Sequence, residues 1–129
     1  IVNGFFDEQL ATLSLDNGKL ALVGFSQGTM TGLHTALRRS PQMAALVGFS
    51  GAMVGAETLA AEVKSKPPVC LIHGQVDDVV PYAAMKQAAD ALGGVGITPE
   101  THTRAALGHS IDLEGIQIAG DFLKKSFGV

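Results

Sequence analysis

The stretch Leu20-Ala21-Leu22-Val23-Gly24-Phe25-Ser26-Gln27-Gly28 decides the fold. Its four leading apolar residues read as a short strand, over about 19–24, of a parallel sheet buried on both faces. After the strand comes Gly-x-Ser-x-Gly, and then a helical pattern over about 27–39 with Met30, Leu33, His34 and Leu37 on one face. A chain that passes abruptly from strand to helix holds the intervening residue in a strained conformation and lifts its side chain above the sheet. Glycines two positions to either side let neighbouring backbone approach without a Cβ clash. The competing reading is a plain glycine-rich turn in which Ser26 caps the helix.

Outward from that stretch the same alternation recurs. Phe6, Leu10 and Leu13 predict an amphipathic helix over about 3–15, and Asp16-Asn17-Gly18 predicts a loop into the strand. Downstream, Ala44–Val47 and Val69–Ile72 are two further buried runs, separated by a short helical candidate, Glu57–Lys64, that Pro67-Pro68 stops. Helices are predicted over about 82–92 and 112–127. Thr98–Thr103, with Pro99, reads as an edge strand. Strands alternating with helices imply right-handed crossovers, a mostly parallel sheet and helices on both faces. The expectation is one α/β domain over 1–129, a three-layer sandwich.

Composition removes several function classes. A formal charge of −3 and no basic stripe argue against nucleic acid. The most apolar stretch, Ala44–Ala56, is broken by glycines and falls short of the ~20 residues of a spanning helix, so no stable membrane insertion is expected. The single cysteine, Cys70, excludes an internal disulfide and any CxxC metal or redox motif. Within an apolar run it reads as a small hydrophobe, and a free thiol points weakly to a reducing, cytoplasmic setting.

A serine hydroxyl becomes a nucleophile only beside a base that a carboxylate orients. Two loops offer the partners. Asp77 and Asp78 follow the third buried run in Ile72-His73-Gly74-Gln75-Val76-Asp77-Asp78-Val79-Val80-Pro81, and composition does not choose between them. His109 lies in Leu107-Gly108-His109-Ser110, after the edge strand and downstream of the acid. Both loops follow parallel strands, so both are expected on the sheet edge that carries Ser26. His34 reads as a helix residue that packs or faces solvent, His102 as exposed, and His73 as a structural hydrogen-bonding residue. Met53 either lines a pocket beside the nucleophile or fills the core. Arg38-Arg39 and Lys124-Lys125 read as solvated helix ends.

Gly-Phe-Ser-Gln-Gly at 24–28, His-Gly-x-x-Asp-x-Val-Val-Pro at 73–81 and Gly-His-Ser at 108–110 resemble the phospholipase/carboxylesterase family of α/β-hydrolases, a group similar to acyl-protein thioesterases. The resemblance covers essentially the whole chain. It implies Ser26 as nucleophile, Asp77 rather than Asp78 as the carboxylate, and His109 as general base and then acid. It also implies a small acyl ester or thioester as substrate, an acyl-enzyme intermediate and no metal or organic cofactor. The Gln27 N–H is expected to supply one oxyanion donor. The second donor belongs to a loop well upstream of the elbow, and the residues before Ser26 read only as a helix and the elbow strand. The expectation is therefore a hydrolase domain lacking its N-terminal strands, with a bare edge at 19–24 open to pairing with a second copy. The alternative is a non-catalytic interaction or dimerisation module.

Overall fold

In the computed structural model, which describes residues 1–129, every predicted element is present. The order is α1 (Val2–Leu13), β1 (Ala21–Phe25), α2 (Gln27–Leu37), β2 (Ala45–Phe49), α3 (Ala56–Glu62), β3 (Val69–Gly74), α4 (Ala83–Gly93), β4 (Glu100–Arg104) and α5 (Leu113–Phe127). All four strands are parallel, in the spatial order β1-β2-β3-β4. Their carboxyl ends, and the loops that leave them, therefore share one edge.

Because a strand's side chains alternate between faces, the two central strands feed two cores. Leu46, Val69 and Leu71 join Leu33, Leu37, Leu59, Met85 and Leu92 in the larger cluster, beneath α2, α3 and α4. Ala45, Val47, Phe49, Cys70 and Ile72 meet Ala119 and Phe122 of α5 on the other face. The result is a three-layer sandwich. Leu33 and Leu37 are fully buried, and each such leucine contributes about 1.5–3 kcal/mol. No helix is long and apolar enough to cross a membrane.

Several local expectations need correction. The run leading to the elbow is not buried on both faces: β1 pairs with β2 alone, leaving Val23 57% and Phe25 40% exposed. On α2 the buried face is Thr29, Gly32, Leu33, Ala36 and Leu37, while His34 is exposed. His102 is half-buried and pairs with Glu100 at 2.9 Å. The segment before β1 contains one 3-10 turn, Asn17–Lys19.

The largest departure concerns the two arginines that end α2. Neither is a solvated helix end. Arg38 reaches Glu62 at 2.7 Å and the Gly55 carbonyl at 2.9 Å. The Arg39 side chain is only 4% exposed; it donates to Asn17 Oδ1 at 2.9 Å, Asn3 Oδ1 at 3.0 Å and Asp7 Oδ1 at 2.7 Å, and lies over the Phe6 ring. Both arginines follow the last helical turn, where chain returning from α1 and α3 brings acceptors to them. Arg39 thus fastens α1, whose one buried residue is Leu10. Arg39→Met keeps the aliphatic stem but removes the forked donor, and is expected to cost about 2 kcal/mol. Hydrogen exchange checks it: amides of α1 should exchange about 30-fold faster, with β2 and β3 unchanged.

Candidate active site

Ser26 is the single residue between β1 and α2, with φ 56° and ψ −117°. This is a left-handed φ at a non-glycine residue, held by its surroundings. The Ser26 N–H donates to the Phe49 carbonyl of β2 at 2.9 Å, and the Ser26 carbonyl accepts from the N–H groups of Thr29 and Met30 at 3.0 and 3.2 Å. Gly24 makes this sharp turn possible, since a Cβ there would lie 2.6 Å from the backbone of Gly28 and Thr29. The Ser26 side chain makes no capping hydrogen bond, so the plain-turn reading lacks its defining contact.

The acid loop leaves β3. Asp77 is the buried member of the aspartate pair, its side chain 0% exposed, while Asp78 faces solvent and does not cap α4. Asp77 Oδ1 accepts the backbone N–H groups of Val79 and Val80, each at 2.9 Å. Asp77 Oδ2 accepts from His109 Nδ1 at 2.8 Å. Burial alone would raise the Asp77 pKa and is the largest single influence. The hydrogen bonds from His109, Val79 and Val80 together outweigh it and hold the carboxyl below its ordinary range.

His109 arrives from the β4–α5 loop. A carboxylate oxygen only accepts, so Nδ1 carries the proton toward Asp77 and Nε2 presents its lone pair 3.0 Å from Ser26 Oγ. The Phe25 ring packs against the imidazole at 4.9 Å between centroids. The loop is fixed at both ends. Gly74 lets it pass, since a Cβ there would lie 2.3 Å from the Leu107 carbonyl. Beyond it, Asp112 caps α5 by accepting the Gly115 N–H at 2.8 Å and pairs with Arg104 at 2.9 Å. An array of this kind can draw a proton off the serine hydroxyl while a buried anion steadies the resulting imidazolium.

Gln27 opens α2, so its N–H belongs to the helix's orphan donors at the positive end of the dipole. A groove of about 300 Å³ runs beside it, lined by Gln27, Met30, Thr31, His34, Thr35 and Val54. Val54, not Met53, reaches that groove; Met53 is partly buried against the larger apolar cluster. Away from the strand ends' loops, Cys70, Glu100 and His102 bring three potential metal donors within 4.8 Å of one another. Burial, reinforced by the charge of Glu100, pushes the Cys70 thiol up to about 12, and Lys125 already faces the other Glu100 oxygen at 3.6 Å.

Sequence reasoning singled out Ser26, Asp77 and His109, and the fold brings these three together. It missed two contacts. The Nε2 of His73 lies 3.3 Å from Asp77 Oδ2, for which the i, i+4 spacing across the acid loop was a signal. The packing of Phe25 on His109 left no signal in sequence.

Comparison with known proteins places the chain in a family. The phospholipase/carboxylesterase profile matches residues 2–127. Acyl-protein thioesterase 1 of Gibberella zeae is 30% identical over 112 residues, covering 83% of this chain and 48% of that protein. Esterase YpfH of Escherichia coli is 31% identical over 105 residues, covering 81% of the chain and 44% of the relative. The crystal structure of esterase PE8 superposes with a TM-score of 0.93 at 40% identity, over 96% of this chain and 58% of that one. Arabidopsis thaliana SOBER1, at 22% identity, shares the fold with a TM-score of 0.90. The chain spans about half the length of the curated relatives it matches. A profile match from end to end, on a four-stranded parallel sheet that superposes on an esterase, establishes that the chain belongs to the phospholipase/carboxylesterase family.

Proposed function

We propose that the protein is a serine hydrolase that cleaves carboxylic esters or thioesters through an acyl-enzyme. The observation that carries this reading is the continuous relay Ser26 Oγ, His109, Asp77, with contacts of 3.0 and 2.8 Å and a carboxylate sealed from water. His109 Nε2 takes the hydroxyl proton as Ser26 Oγ bonds to the acyl carbon. The negative charge that develops on the carbonyl oxygen falls near the Gln27 N–H at the start of α2. Collapse of the tetrahedral intermediate expels an alcohol or thiol, which receives the proton from His109. A water molecule, deprotonated by the same ring, then releases the acid and restores Ser26.

The test is covalent. A fluorophosphonate probe phosphonylates only a serine that an assembled base has activated. Peptide mass mapping is expected to find one adduct, on Ser26, within minutes at neutral pH. A folded chain that stays unmodified would overturn the reading.

A second reading rests on the free edge of β1 with its exposed Val23 and Phe25, a surface suited to pairing with another strand or a second copy. It makes the chain an interaction module. The same probe separates the two, since a module needs no activated serine.

A further inference from the structure

The imidazole of His73 is the one buried titratable group at the site that the proposed chemistry leaves idle. His73 is the penultimate residue of β3, 2% exposed, and its ring stands edge-on to Tyr82 with centroids 6.1 Å apart. Its Nε2 is 2.9 Å from the Val80 carbonyl and 3.3 Å from Asp77 Oδ2. A carbonyl oxygen accepts and never donates, so Nε2 carries a proton. That N–H is aimed chiefly at Val80, and its positive end lies beside the same carboxylate oxygen that His109 uses. The Val80 N–H in turn donates to Asp77 Oδ1. One ring therefore grips the carbonyl of the residue whose N–H holds Oδ1 and also adds positive potential at Oδ2.

We propose that His73 is a positioning residue for the Ser26-His109-Asp77 relay: its Nε2–H, anchored on Val80, locks the acid loop and moderates how much of the Asp77 charge reaches His109. The inference rests on the hydrolase reading above. The titratable groups that face His73 are Asp77 on its own loop, His109 across the shared Oδ2, and Tyr82 at the start of α4, whose hydroxyl is engaged with Thr103. With the His73 N–H removed, Oδ2 presents a less compensated charge to His109. The imidazolium becomes easier to form, and the acid limb of kcat/KM moves to higher pH.

His73→Phe keeps a ring and removes the donor; His73→Gln has an amide nitrogen at nearly the same reach and restores it. With a p-nitrophenyl ester, His73→Phe is expected to lose about tenfold in kcat at little change in KM, with the acid limb raised by about half a pH unit. His73→Gln is expected to recover kcat to within about threefold and return the limb to its wild-type position. A purely structural histidine would lower the melting temperature and the titratable fraction of active sites in both variants, leaving the limb in place. That outcome overturns the proposal, as does His73→Phe with wild-type kcat. Should His73→Phe not fold, His73→Asn, whose amide is too short to reach Val80, takes its place with the same expectations. Ser26→Ala separates the two levels: full hydrolysis without Ser26 sinks the hydrolase reading, whereas an unmoved acid limb with Ser26 essential sinks only the role of His73.

Discussion

Ser26→Ala is expected to lower kcat toward an activated ester by a thousandfold or more, with KM nearly unchanged. The hydroxyl contributes the attacking atom and one hydrogen bond, to His109, and no contact that holds the fold. Its Oγ is 3.0 Å from His109 Nε2, and no capping contact to α2 is lost when it goes. The turn is held by backbone: Ser26 N–H on the Phe49 carbonyl, and Thr29 and Met30 N–H on the Ser26 carbonyl. Alanine carries the same φ of 56° at the same steric cost as serine, so the melting temperature should stay within a few degrees. Steady-state rates and a thermal melt of the same preparation check both halves. A variant retaining a tenth of the wild-type rate would show that another group attacks the acyl carbon.

The contrast between the elbow and the arginines shows which physics a sequence exposes. At 20–28 each constraint is local: an apolar run, a strained turn residue and the glycine at 24 whose replacement would strike the next helix. All three are written in consecutive residues. The parallel sheet is legible for a similar reason, because strands that alternate with helices return by crossover connections. Arg39 is not legible. Its burial depends on Asn3 and Asp7 of α1 and Asn17 of the turn after it, 22 to 36 positions away, and a basic pair after a helix has the same spelling whether it is solvated or sealed. The exposure of Val23 and Phe25 is likewise not written in the apolar run of β1 itself, although pairing with β2 alone agrees with the bare edge expected at 19–24. At the site, Asp77 and Asp78 are chemically identical; only the turn that gives Oδ1 two backbone donors and Oδ2 an imidazole separates them.

The carboxylate is where the second large effect is expected. Asp77→Asn should reduce kcat by about ten-thousandfold while leaving the fold intact. The reason lies in the four groups around it. Val79 and Val80 both point N–H at Oδ1, so the amide oxygen of asparagine must take that place. Its NH₂ then occupies the Oδ2 position, 2.8 Å from His109 Nδ1 and 3.3 Å from His73 Nε2. A donor facing Nδ1 forces the His109 proton onto Nε2, where it points at Ser26 Oγ and blocks removal of the hydroxyl proton. The same NH₂ opposes the His73 N–H. In the wild type the Asp77 pKa is depressed, so its ionised form stabilises the fold fully above the ordinary carboxylate range, and that contribution is lost as pH falls through the folded-state value. Asparagine removes this part of the acid sensitivity. Denaturant titrations from neutral pH down to about 3 should therefore show the stability difference between wild type and Asp77→Asn shrinking as pH falls. Ester hydrolysis that survives in Asp77→Asn and is lost in Asp78→Asn would transfer the acid to the neighbouring position.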